Sequence, residues 1–142
     1  MDLTEGLTFI RDRKQGVLTT IRANGRPQLS NILFAPADDD TFHISVTDDR
    51  AKTKNLRRDP RASLYVVGDN FWQYVVVEGN VEVTPVATDP QDATVEMLVA
   101  MYRSARGEEH PDWDEYRTTM VADKRLVLIL RPERAYGMVG PS

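Results

Sequence analysis

Between Asp48 and Ser63 the chain reads DDRAKTKNLRRDPRAS, with Arg50, Lys52, Lys54, Arg57, Arg58 and Arg61 set against Asp48, Asp49 and Asp59. The stretch carries a net +3 inside a 142-residue chain whose formal total is −4, so everything outside it sums to −7. Six of the chain's 18 basic side chains fall in this one segment, which marks it as a candidate anion site. Its phase sharpens the point. At about 100° per residue, Arg50, Lys54 and Arg57 form one solvent-facing stripe, whereas Ala51, Asn55 and Leu56 mark the packing side and Lys52 falls among them. A lysine turned inward needs a partner, because an unpaired buried ammonium is very costly. A bound phosphate would serve, helped by the free N–H groups of the helix's first turn and by Arg50. The same spacing also fits a solvated basic face with Lys52 reaching outward, and Asp48 or Asp49 could cap the helix or pair with Arg50.

Other candidates are thinner. In PQLSNILF, Gln28, Ser30 and Ile32 share one strand face and Leu29, Asn31 and Leu33 the other. Polar side chains there can hydrogen-bond a flat heteroaromatic ligand, or serve as ordinary edge-strand residues. In FWQYVVVEGNVEV, Phe71, Val75, Val77, Val81 and Val83 alternate with Trp72, Tyr74 and Val76, so both faces begin apolar. A barrel has one inside, so the Trp72 and Tyr74 face must be covered by a second chain or by the chain's own helices. His43 and His110 are far apart and make neither a metal site nor an acid–base pair, and EEHPDWDEY reads as an exposed helix start. There is no cysteine, no glycine-rich phosphate loop and no nucleophile elbow. An enzyme so equipped would bind and orient, and leave the reactivity to a cofactor.

The elements that position these residues follow from periodicity. Leu3, Leu7 and Ile10 predict a short amphipathic helix over Leu3 to Lys14. Two β-rich runs flank Asn24-Gly25, a dipeptide suited to the positive φ of a tight hairpin. FHISVT, including Ser45, Val46 and Thr47, predicts a third strand. The basic helix follows, capped by Thr47, Asp48 or Asp49 and ended before Pro60. A second hairpin turns at Asp69-Asn70; Val95, Leu98, Val99 and Tyr102 predict a helix within Asp89 to Arg106, and another spans Asp112 to Ala122. RLVLILRP is an uninterrupted apolar strand, expected to be buried on both faces. Six antiparallel strands with a few helices make a mainly β protein, a small closed or nearly closed barrel.

The totals limit the rest. The length suits one domain over residues 1–142, with a helical insert at about 89–122. No apolar run is long enough to span a bilayer and no signal pattern opens the chain, which with the lack of cysteine predicts a cytoplasmic protein with no membrane partner. The acidic balance and the lack of an aromatic stacking platform beside the basic helix speak against nucleic acid.

GVLTTIRANGRPQLSNILF, RAKTKNLRRDPRASLYV and WQYVVVEG together resemble the split-barrel flavin/deazaflavin oxidoreductases, described as pyridoxamine 5′-phosphate oxidase-like, and most of all their actinobacterial deazaflavin-dependent branch. The resemblance runs from about Gly16 to Tyr136. It implies a six-stranded antiparallel split barrel paired as a homodimer, with two cofactor sites at the interface. By position, Arg50 and Lys52 would bind the cofactor phosphate with Asn55 nearby. Gln28, Ser30, Asn31, Ser45, Val46 and Thr47 would lie along the tricyclic ring, and Trp72 and Tyr74 would arrive from the partner chain. RPERAYGMVGPS does not resemble the arginine-containing substrate segment of true pyridoxamine phosphate oxidases, which speaks against that reaction. The expected activity is hydride transfer from the reduced deazaflavin F420 to a small-molecule unsaturated acceptor such as a quinone, an enone or a tetrapyrrole like biliverdin. An FMN-dependent oxidoreductase on the same scaffold is the alternative, and a flavin or tetrapyrrole carrier without turnover comes from a different class.

Overall fold

In a computed structural model, which describes residues 1–140, seven strands form one antiparallel sheet in the order β2 (Pro27–Leu33), β1 (Gln15–Ile21), β5 (Arg61–Val67), β6 (Tyr74–Val83), β7 (Arg125–Met138), β4 (Phe42–Thr47), β3 (Ala35–Pro36). The first helix, α1 (Leu3–Arg11), is capped by Asp2, whose Oδ1 accepts from the Glu5 N–H at 2.8 Å, and it buries Leu7 and Ile10. The hairpin of β1 (Gln15–Ile21) and β2 (Pro27–Leu33) turns where expected. The positive φ is confined to Gly25, at 84°, while Asn24 contributes through Oδ1, which accepts from the Arg26 N–H at 3.0 Å.

Two residues, Ala35–Pro36, pair with β4 (Phe42–Thr47) as β3, which raises the expected strand count from six to seven. A two-residue strand is too short for alternation to reveal it. The basic segment forms α2 (Ala51–Arg58), and β5 (Arg61–Val67) and β6 (Tyr74–Val83) make the second hairpin. Phe71 and Trp72 sit in the connecting loop rather than in the strand. There Asn70 Oδ1 takes the Trp72 N–H and the Gly68 N–H bonds Gln73 O, so local turn bonds replace the ladder. After α3 (Ala93–Arg106) and α4 (Trp113–Ala122), β7 (Arg125–Met138) runs beyond the predicted apolar stretch to pair with the full length of β6. The register slips at Glu78/Gly79, leaving Glu133 as the extra residue of a bulge in β7 that allows Pro132 inside a strand.

The sheet curls so that β2, at one edge, approaches β4 near the other. Inside the curl Leu18, Phe42, Ile44, Leu64, Val66, Val75, Val77, Leu126, Leu128 and Leu130 are wholly buried. The outer face is covered unevenly. Over β7, Val127 and Ile129 pack against Leu98 of α3, with Met101, Tyr116 and Met120 around them. Over β2, β5 and the end of β7, Leu29, Leu33, Val67, Tyr136 and Met138 stand exposed, Leu33 at 66%.

Candidate functional site

The seam between β2 and β4 holds a cavity of 570 Å³, within the range usual for small-molecule sites. Ser30 and Asn31 come to it from β2, Ser45, Val46 and Thr47 from β4, and Arg50 and Lys52 from the start of α2. Residues far apart in sequence meet here because β2 and β4 lie near opposite edges of a curled sheet. Ser30 Oγ is buried and has no hydrogen-bond partner among the described residues. An unpaired buried hydroxyl on a residue that lines a cavity is a group in want of a polar partner.

At one end of the cavity α2 begins without a cap. Its N-cap is Arg50 in extended conformation, with no side chain bonding the first turn, which corrects the expectation of Thr47, Asp48 or Asp49. Those residues are engaged elsewhere: Thr47 Oγ1 donates to Asp49 Oδ1 at 2.6 Å, and Asp48 Oδ1 pairs with Arg57 Nη2 at 2.6 Å. The Thr47 bond, with Arg50 and Lys54 adding to it, holds the Asp49 carboxyl below the usual range. The first backbone bond of the helix is Lys54 N–H to Arg50 O, so the N–H groups of Ala51, Lys52 and Thr53 lack a protein acceptor among the described residues. Arg50 and Lys52 likewise form no ion pair with a carboxylate among the described residues. Lys52 is half-buried, and its ammonium is pushed below the usual lysine range, first by desolvation and then by Arg50. Two cations and a free helix N-terminus face the same space.

The helical phase holds for most of α2 and fails at two positions. Lys54 and Arg57 are exposed and Asn55 and Leu56 buried, as expected, but Ala51 is exposed and Thr53 takes the inward place. Thr53 Oγ1 donates to Thr47 O at 2.9 Å, a bond back to the preceding strand that hydropathy does not register. Asn55 and Gln28 belong to a network behind the cavity rather than to its wall. Asn55 Nδ2 donates to Thr20 Oγ1 at 3.1 Å, which donates to Gln28 Oε1 at 2.9 Å, while Arg58 Nη2 donates to Ile21 O at 2.6 Å. These bonds fix α2 against the first hairpin, and so set where Arg50 and Lys52 point. The outer basic stripe is also less free than its charge implies, with Arg57 paired to Asp48 and Arg61 to Asp59.

Trp72 and Tyr74 are not brought to this cavity by their own chain. Trp72 is 66% exposed at the loop tip, edge-on to Phe71 at 5.0 Å between ring centroids, and Tyr74 stacks on Tyr65 at 5.6 Å. Sequence reasoning missed Arg125 and the wall supplied by Leu98, Met101, Tyr102 and Tyr116. Tyr102 also clusters with His110, Trp113 and Tyr116, so EEHPDWDEY is in part packed and not simply an exposed helix start. Tyr102 one turn beyond Leu98 was the available signal; nothing in the sequence paired Arg125 with Thr47 across β7 and β4.

The chain is similar to known proteins over most of its length. A family model described as pyridoxamine 5′-phosphate oxidase matches residues 4–138. A conserved hypothetical protein, Rv2991 from Mycobacterium tuberculosis, superposes with a TM-score of 0.72 at 24% identity, covering 100% of this chain and 94% of that one. A protein described as an F420 reductase gives a TM-score of 0.62 at 25% identity, covering 91% and 94%. HutZ, a heme storage protein from Vibrio cholerae, gives 0.67 at 15% identity, covering 95% and 93%.

Proposed function

The chain belongs to the pyridoxamine 5′-phosphate oxidase family, and on that premise we propose that it binds the deazaflavin F420 and passes its hydride to an unsaturated organic acceptor. The observation that carries the reading is the uncapped start of α2, with Lys52 and Arg50 unpaired among the described residues, at one end of a cavity whose Ser30 hydroxyl lacks a partner among them. Those groups fit a phosphate joined to a flat polar ring. When bound, reduced F420 would supply the hydride, and the chain's own residues would hold and orient it. Lys52, Arg50 and the first-turn N–H groups hold the phosphate. Ser30 and Asn31 on one side, and Ser45, Val46 and Thr47 on the other, orient the ring. Asn55 and Gln28 act at one remove, through the network that fixes α2 and β2. Similarity to the protein described as an F420 reductase favours F420 over FMN.

The decisive measurement is a titration of the purified protein with F420 and with FMN, followed by mixing with reduced F420 and a panel of quinones, enones and tetrapyrroles. Tight FMN binding with no hydride transfer from reduced F420 to any of them would give the site to FMN. F420 continues past its phosphate into an anionic tail, and Lys54 is the α2 cation left to meet it, since Arg57 pairs with Asp48 and Arg58 bonds Ile21 O. Exposed charges of this kind are screened by salt, so F420 affinity is expected to fall modestly with ionic strength and FMN affinity less. Equal salt slopes for the two would remove the tail from the argument.

We further propose that the uncovered outer face pairs two copies of the chain. Leu29, Leu33, Val67, Tyr136 and Met138 make an apolar surface too continuous for a face left in water, and a symmetric pair would cover it on both copies at once. The arrangement would also give Trp72 and Tyr74 a second chain to reach. Sedimentation at micromolar concentration is expected to give a dimer that Leu29→Asp with Tyr136→Asp dissociates. A stable monomer that still binds cofactor rules the pairing out.

A further inference from the structure

Arg125 opens β7 directly across from Thr47, and its Nη1 reaches Ser45 Oγ at 3.4 Å. Among the described residues its buried Nε has no acceptor and its guanidinium forms no ion pair with a carboxylate. It lines the same cavity as Lys52, on the side where β7 pairs with Ser45 and Thr47 of β4, and Tyr116 is among the other lining residues. The Tyr116 hydroxyl donates to Leu98 O at 3.1 Å, and Tyr116 lines the cavity together with Leu98, Met101 and Tyr102. A partly buried guanidinium with an unpaired Nε is costly as it stands, and its terminal Nη groups suit the oxygens of a carboxylate. The aromatic and thioether surface beside it suits a flat conjugated ring.

We propose that Arg125, steadied by Ser45, is an anion subsite for the carboxylate of a planar conjugated ligand lying against Leu98, Met101 and Tyr116. If the chain is the oxidoreductase proposed above, that ligand is the hydride acceptor, and the acceptors it prefers carry a carboxylate. The oxidoreductase reading is needed only for this last step; the subsite itself stands without it.

Calorimetric titration of the full chain with 2-naphthoate and with its neutral isostere 2-naphthamide tests the subsite without cofactor or turnover. Wild-type protein is expected to prefer the naphthoate by about tenfold, as one charge-assisted contact provides. Arg125→Met should abolish that preference, Arg125→Lys should keep part of it, and Lys52→Met should leave it intact. Circular dichroism and melting of each variant establish that it is folded. Absence of a preference in the wild type, or one that survives Arg125→Met, overturns the subsite. So does a preference lost with Lys52→Met alone, which moves the carboxylate to α2. The cofactor is the other source of an anion, and F420 and FMN titrations separate it. Arg125→Met should change both affinities less than twofold, and a loss as large as that from Lys52→Met would make Arg125 a cofactor ligand.

Discussion

Lys52→Ala is expected to weaken cofactor binding by about 1.5–3 kcal/mol, or roughly 10- to 150-fold in the dissociation constant, while Lys54→Ala two residues away changes it little. Both are lysines on one short helix, so net charge does not distinguish them. Lys52 is half-buried at the cavity and unpaired, whereas Lys54 is exposed on the outer stripe. Equal losses from the two substitutions would refute the assignment and leave only a diffuse basic surface. The pH dependence gives a second readout. Desolvation and the nearby Arg50 hold the Lys52 ammonium below the usual lysine range in the free protein. An anion binds the protonated form, so affinity should be full at neutral pH and fall as pH rises through that lowered value. A bound anion pulls the lysine back up, and binding on the alkaline side is therefore accompanied by proton uptake. In Lys52→Ala that alkaline decline should vanish.

The largest effect on stability is expected at Gly79. It sits where the β6–β7 register slips, paired with Pro132, and a Cβ placed there would lie 2.0 Å from Arg131 O and 2.8 Å from Arg131 C. Both atoms are backbone in the longest strand of the sheet, so no rotamer change relieves the clash; the strands must part or the bulge must move. Gly79→Ala should cost about 3 kcal/mol or more. Gly140→Ala, where an added Cβ meets nothing, is the matched control and should be near neutral. Paired urea melts decide the matter, and coincident midpoints would show that the bulge yields freely.

How far the fold can be read from residues depends on the kind of signal each element leaves. β4 and the core of β7 announce themselves through runs such as FHISVT and RLVLIL, and α3 through its apolar face of Val95, Leu98 and Val99. β3 leaves no period, and the loop holding Phe71 and Trp72 imitates a strand because apolar alternation says nothing about where the ladder's hydrogen bonds stop. The site divides in the same way. Lys52 is legible from helical phase because Leu56 and Asn55 fix which side of α2 faces the core. Arg125 is not, since its relation to Ser45 and Thr47 depends on β7 pairing with β4 across some 80 positions of chain. Ser30 was visible as a polar residue in an apolar strand, but that its hydroxyl goes unanswered is a fact of packing alone.

The uneven covering of the sheet has a consequence for how such a protein can be altered. Inside the curl, the packing around Phe42, Leu64 and Leu128 draws nothing from α3 or α4. Those helices attach through two small clusters of their own, one around Val95 and Val99 and one joining Leu98 to Val127 and Ile129. The pair is thus a cassette, spliced between β6 and β7 and fastened by a handful of outward side chains. A transplant from a relative that preserves the contacts to Val127 and Ile129 would exchange Met101, Tyr102 and Tyr116 as a set, while the α2 end of the cavity stayed as it is. Variation in this one insert is a route by which a common scaffold could diversify what it accepts, leaving the hydrophobic interior and the exposed apolar face untouched.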